Sequence, residues 1–386
     1  MLMPTLLSLA ACTSHGGVSA SPKPTALPSA SASPTLPPPD LKPILLRGHT
    51  APINLLAWSP DGKFVASAAG GFDGNDLTVR LWRRDGTLVA ALRGHRCALA
   101  SLAWAPNGKT LASGDCDGEV RLWHRDGTLA GRVLPHAGVV MALAWSPDGR
   151  SLATGSVASP TKNTVEVWDP VDGSLLLTRH TKYSGAKFYN LGWSPDGRYL
   201  VGGATDYREW RADGSLIFST GGCASCTPQW AFGWSPDGGM WAVGNESGNV
   251  SVYATDGRLV ASEQNGAGNV DVLAWSPNGR TLATANSLWR RDGETLSSMG
   301  SVGAGRVTSQ AWSPDGAVLA WTITYSNEVS LANASGTALG DLRAGTRDIS
   351  RVSWSPRGAL LATGGEDGIV RLWDLAAWES LAGLTG

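Results

Sequence analysis

An all-β fold, an eight-bladed β-propeller of four-stranded antiparallel blades, is predicted by three features of the chain. A W-S-P-D-G string or a close variant recurs eight times, with its tryptophan at positions 58, 104, 145, 193, 234, 275, 312 and 354. The intervals of 46, 41, 48, 41, 41, 37 and 42 residues hold four short strands and their turns. The composition, with 49 Gly and 18 Trp among 386 residues and only 16% charged side chains, favours many turns and packed aromatics over long helices.

The chain divides into three parts: 1–12, 13–43 and 44–386. Residues 1–11 are a short apolar run ending in small residues and followed by Cys12, the layout of a secretory segment and its cleavage site. Residues 13–43 hold eight of the 22 prolines among Ser, Ala and Thr, with too few large apolar side chains to build a core, and read as a disordered linker. No stretch of 18 or more apolar residues is present to span a bilayer.

Each repeat in 44–386 has the same local physics. An apolar run such as Leu55-Leu56-Ala57-Trp58 stops at Pro-Asp-Gly, where Pro fixes φ and Gly takes the turn conformation. A β-type run such as Thr110–Ser113 comes next, then a Gly/Asp-rich turn and an alternating run such as Val120-Arg121-Leu122-Trp123. A further Asp-Gly turn leads to a weaker fourth run, such as Leu88–Leu92. One such sheet cannot bury both faces, and eight set radially can. Nine candidates exist for eight outer strands, among them Ile44–Leu46 at the front and Ser380–Leu384 at the end. Arg47-Gly48-His49 repeats Arg93-Gly94-His95, so the N-terminal run is expected to complete blade 8.

The repeated region resembles the Trp-Asp (WD) repeat β-propeller family. The resemblance rests on Gly48-His49 and Gly94-His95, on the W-D pairs Trp168-Asp169 and Trp373-Asp374, and on the D-G-x-V-R-L-W strings at 117–123 and 367–373. It implies hydrogen-bonded structural tetrads of His, turn Asp, strand Ser/Thr and strand Trp. These fall on His49, Asp76, Ser67 and Trp82 in blade 1, and on His95, Asp117, Ser113 and Trp123 in blade 2. Blade 3 has Lys162 in the Asp slot, blade 8 has Gly345 in the His slot, and blades 4 to 7 lack most of the set, with Tyr253 in the Trp slot of blade 5. Those blades are expected to be held by packing. A Ser, His and Asp together also suggest a hydrolase, yet a nucleophile needs an exposed hydroxyl and an oxyanion hole, and these sets lie within strands. A structural role is expected.

Leu9-Ala10-Ala11-Cys12 is similar to the lipobox of bacterial lipoproteins, which implies lipidation of Cys12, although no Lys or Arg precedes the run. Thr13-Ser14 lacks an inner-membrane retention Asp, so the resemblance points to the outer membrane or the cell surface. Cys97 and Cys116 flank two tetrad residues of blade 2 and are expected to form a disulfide. Cys223 and Cys226 form C-x-x-C, read as a small disulfide loop in preference to free thiols or half of a metal site.

No catalytic, metal or cofactor signature occurs in a suitable context, and the net charge of −1 gives no global attraction to nucleic acid. Aligning the residues six and four before each repeat tryptophan gives two rows that border one face. Lys187, Tyr189, Trp230, Asn269, Asp271, Arg306 and Asp348 fall there, a mixture of aromatic anchors and charges suited to binding a partner. The expected function is a non-enzymatic, monomeric scaffold that binds a protein or peptide of the cell envelope and needs no cofactor. A small-molecule or sugar-binding propeller, with or without enzymatic activity, and an envelope assembly factor are the alternatives.

Overall fold

The computed structural model describes residues 41–69, 76–131, 133–159, 162–181, 190–203, 206–221, 229–264, 268–303, 305–345 and 347–376. Cys12, Lys187, Tyr189, Cys223, Cys226 and the 380–384 run lie outside the described residues.

Eight four-stranded antiparallel sheets form the eight blades. Their innermost strands are Ile53–Trp58, Leu99–Trp104, Val139–Trp145, Asn190–Trp193, Gln229–Trp234, Leu273–Trp275, Val307–Trp312 and Ile349–Trp354. Each inner strand contacts the inner strand of the next blade, and Ile349–Trp354 contacts Ile53–Trp58, so the ring is closed. Blade 8 takes its outer strand from the other end of the chain, with Ile44 opposite Leu372 and Leu46 opposite Val370.

The apolar residues of the alternating strands gather into eight clusters, each shared by two neighbouring blades. The core is therefore a ring of eight seams, as expected for sheets that cannot bury both faces alone.

The W-S-P-D-G string does two jobs in this ring. Its serine and acid lock the first turn: Ser59 Oγ donates to Asp61 Oδ1 at 2.6 Å and accepts from the Phe64 N–H at 3.0 Å, while Gly62 sits at φ 64°. The same Ser–Asp bond recurs at 2.6 Å in Ser146–Asp148, Ser194–Asp196 and Ser235–Asp237. Its tryptophan clasps the preceding blade. Trp104 Nε1 donates to Ala57 O (3.1 Å), Trp145 to Ala103 O (3.2 Å), Trp234 to Gly192 O (2.9 Å) and Trp275 to Gly233 O (3.2 Å). Trp312 reaches Ala274 O (3.1 Å), Trp354 reaches Ala311 O (3.1 Å), and Trp58 closes the circle on Ser353 O (3.0 Å). In every case the acceptor immediately precedes the neighbouring tryptophan. Trp193 is the exception, with its buried Nε1 lacking a partner.

Candidate interaction face

In an antiparallel blade, the loops entering the inner strand and the turns between the second and third strands share one end of the ring. The tetrads stand at that end and brace its loops. In blade 1, His49 Nδ1 lies 2.9 Å from Asp76 Oδ2, His49 Nε2 lies 2.8 Å from Ser67 Oγ, and Trp82 Nε1 donates to Ser67 Oγ at 2.8 Å. Burial opposes ionisation of Asp76, but the Thr78 hydroxyl, the Thr50 N–H and His49 outweigh it and hold the carboxyl well below its usual range. Burial holds the His49 pKa down, against the Asp76 bond.

Blade 2 corrects one sequence assignment. His95 Nδ1 pairs with Asp115 Oδ2 at 2.7 Å, and Asp117 is exposed at the tip of the turn. The Asp-Cys-Asp-Gly string offers two acids. The one at the end of the second strand is buried beneath the histidine, and it also accepts the N–H groups of Asp117 (3.1 Å) and Glu119 (2.8 Å). Ser113 Oγ completes the set, 2.6 Å from His95 Nε2 and 2.8 Å from Trp123 Nε1. Cys97 and Cys116 form a disulfide beside it, tying the loop to the turn.

Ser67 and Ser113 are fully buried, and each hydroxyl is held between its histidine and its tryptophan, which is the geometry of a brace. His95, Asp115 and Glu119 bring ligand atoms within 4.8 Å of one another. Both imidazole nitrogens and both Asp115 oxygens are already bonded, however, and Glu119 holds Arg121 at 2.8 Å.

The other blades keep fragments. In blade 3, His136 Nε2 meets Thr154 Oγ1 at 2.7 Å and Glu166 Oε2 at 3.2 Å, while Trp168 donates to Thr154. In blade 8, Asp367 has no histidine and turns to Arg371 at 2.6 Å. Blade 6 retains Trp289 on Thr284 at 2.8 Å. Blade 7 exchanges sizes, with Trp321 in the serine slot and Ala332 in the tryptophan slot, both buried. In blade 5, Tyr253 stacks on Trp241, with ring centroids 4.5 Å apart.

Of the sequence-derived face residues, Arg306 and Asp271 are brought together, Nε to Oδ2 at 2.5 Å, bridging blades 7 and 6. Asn269 is exposed beside them, and Asp348 is half-buried where blade 8 begins. Trp230 is the extra residue of a bulge between Gln229 and Ala231. The same bulge recurs at Asn54, Ala100, Met141, Thr308 and Ser350, which re-aims those five residues from the regular pleat. Asn54 and Ser350 turn toward the next blade, donating to Leu99 O (3.2 Å) and Ile53 O (3.1 Å).

Two residues of this end escaped the sequence alignment. Arg351 donates to Asn54 O at 2.6 Å across the seam between blades 8 and 1, and burial lowers its pKa. Tyr325 stands at the tip of the blade 7 turn, 90% exposed, with φ 62°. A bulky residue at positive φ is an outlier, and this one is held by both flanks: Thr324 N–H donates to Arg306 O (2.9 Å) and Ile349 N–H to Ser326 O (2.9 Å). The turn backbone is thus fixed between the loops of Arg306 and Asp348, and it presents an exposed aromatic side chain there. Aligning inner strands could not find it, because it lies on a different turn.

Comparison with known proteins follows the same division. The WD domain, G-beta repeat family matches residues 42–83, 86–124, 128–169 and 336–374. Those are blades 1 to 3 and blade 8, the ones that keep a tetrad or most of one. No curated protein matches the chain. The crystal structure of the computationally designed Ika8 protein is similar at 21% identity, with a TM-score of 0.69, covering 85% of this chain and 98% of that one, a likeness of fold. Four stretches of this chain match the WD repeat, and they are set in an eight-bladed propeller whose other blades carry little of the repeat's polar signature.

Proposed function

We propose that the protein is a non-enzymatic scaffold that binds a protein or peptide partner on the face of blades 6 to 8, and that a lipid on Cys12 displays it in the bacterial cell envelope. The carrying observation is Tyr325, an exposed aromatic side chain on a turn whose backbone is hydrogen-bonded to two neighbouring loops. A tyrosine has only two side-chain torsions to order on binding, and the exposed Arg306 and Arg347 beside it supply the polar rim that partner surfaces use. The anchoring part of the reading is supported by the apolar run before Cys12 and by the Pro-rich stretch that follows it.

The test is affinity capture from detergent-solubilised envelopes with the full-length protein and a Tyr325→Ala/Arg306→Ala variant of unchanged melting behaviour. A protein retained by the first and lost by the second is the expected result. Equal retention, or none, would overturn the reading of the face. Cys12→Ala, expected to abolish palmitate labelling and membrane fractionation, tests the anchor separately.

A further inference from the structure

The opposite end of the ring carries the Pro-Asp-Gly turns and the turns between third and outer strands. There, between blades 3 and 4, a cavity of about 390 Å³ opens, within the range of small-ligand sites. It lies at the seam whose tryptophan, Trp193, makes no clasp to the preceding blade, whereas the other seven do. The sheets are less tightly tied at this point, and a gap remains.

The lining divides by chemistry. Val167, Leu177 and Trp193 form apolar walls, with Leu176, 55% exposed, at the mouth. Asp148, Asp196 and Asp213 also line it, and among the described residues no Lys, Arg or His does. All three acids are held ionised. The Ser146 hydroxyl and Arg150 N–H lower Asp148, and the Ser215 N–H and hydroxyl lower Asp213. At Asp196 burial works the other way and is outweighed by the Ser194 hydroxyl and by Arg198. The nearby arginines do not seal the site. Arg150 is 3.9 Å from Asp148 and 88% exposed, and Arg198 holds Asp196 at 2.5 Å but is itself 73% exposed. Arg179 is taken up by the carbonyls of Gly214 (2.9 Å) and Thr178 (2.8 Å).

We propose that this cavity binds an aliphatic ammonium group, with the alkyl chain against Val167, Leu177 and Trp193 and the –NH₃⁺ among Asp148, Asp196 and Asp213. The indole offers the alkyl chain a flat apolar wall, and a carboxylate ligand of the same length would meet like charges where the ammonium meets opposite ones. Both a free alkylamine and a lysine side chain have this chemistry.

Calorimetric titration of the whole protein with n-hexylammonium, n-hexanoate and n-hexanol tests the proposal. Hexylammonium is expected to bind at one site per chain and the other two to give no binding. Asp148→Asn/Asp213→Asn should weaken it at least about tenfold with unchanged melting, because Asn already serves the Asp148 turn at Asn278, whose Oδ1 meets Ser276 Oγ at 2.8 Å, and Asp213 is exposed in its own turn. Ala212→Leu, which adds bulk at the exposed rim without altering charge, should weaken it too. Equal binding of hexanol or hexanoate, no binding of hexylammonium at millimolar concentration, or undiminished binding by the Asn variant would overturn the proposal. Nα-acetyl-lysine methylamide separates the two sources: binding assigns the site to a lysine side chain, and its failure beside hexylammonium binding assigns it to a free amine.

Discussion

Glu209 occupies the blade 4 position that holds Leu81, Leu122, Val167, Val252, Leu288, Leu331 and Leu372 in the other blades. It is fully buried, with one oxygen accepting from Trp241 Nε1 at 3.0 Å and the other unpartnered. Burial lifts its pKa from 4.5 to about 7, against the pull of the Trp241 N–H and with help from Asp256. Between those two pH values the folded state keeps a proton that the unfolded chain releases, so stability falls as pH rises from 4.5 to 7 and stays low above. The loss is on the order of 3 kcal/mol. Glu209→Gln should remove it. The variant is expected to match the parent near pH 5 and to exceed it at pH 8 in urea midpoint, whereas parallel pH curves for the two would refute the assignment. His49 and Asp76, both depressed, act in the opposite sense: the histidine's share of stability is lost as pH falls below 6.5 and the acid's at lower pH still, so the difference between variant and parent isolates Glu209.

Among the elements, the inner strand carries the ring. Its terminal tryptophan packs in its own seam and ties the preceding blade through one indole hydrogen bond, a bond worth about 1 kcal/mol net and more when its loss leaves a carbonyl buried. Trp275→Phe removes that bond, while Trp193→Phe removes a ring of the same size with no bond to lose. The first should cost about 1–2 kcal/mol more than the second in denaturant midpoint, and equal losses would show that the clasp contributes nothing. The turn chemistry of Trp-Ser-Pro-Asp-Gly and the blade count were legible in the sequence, because the same local physics repeats eight times. The clasp was not, since its acceptors are main-chain carbonyls and any residue supplies one. Asp115 was hidden by its neighbour Asp117, two acids that only strand geometry tells apart. Of the face, the Asp271–Arg306 pair joined residues already singled out, and Tyr325 was missed because its exposure comes from a turn that no periodicity marks.

At the scale of the molecule, a radial repeat has no capping unit, so the two ends of the chain must meet for the last edge to vanish. Here Ile44–Leu46 supplies three paired residues against Val370–Leu372, and Leu46 is buried at 1% exposure in the seam between blades 8 and 1. Removing the strand exposes the Val370–Asp374 edge and the apolar residues beneath it, an edge able to pair with another copy. Deletion of residues 1–40 should therefore leave the denaturant midpoint and the oligomeric state unchanged, because it spares the closing strand. Deletion of 1–47 should cost about 2–5 kcal/mol, the range for emptying one buried leucine site, and produce association in sedimentation velocity. If both deletions behave alike, closure does not rest on this strand. Leu46→Ala in the full chain separates the two effects, since it keeps the backbone pairing and empties the buried site: it should lower the midpoint as the longer deletion does without producing the association.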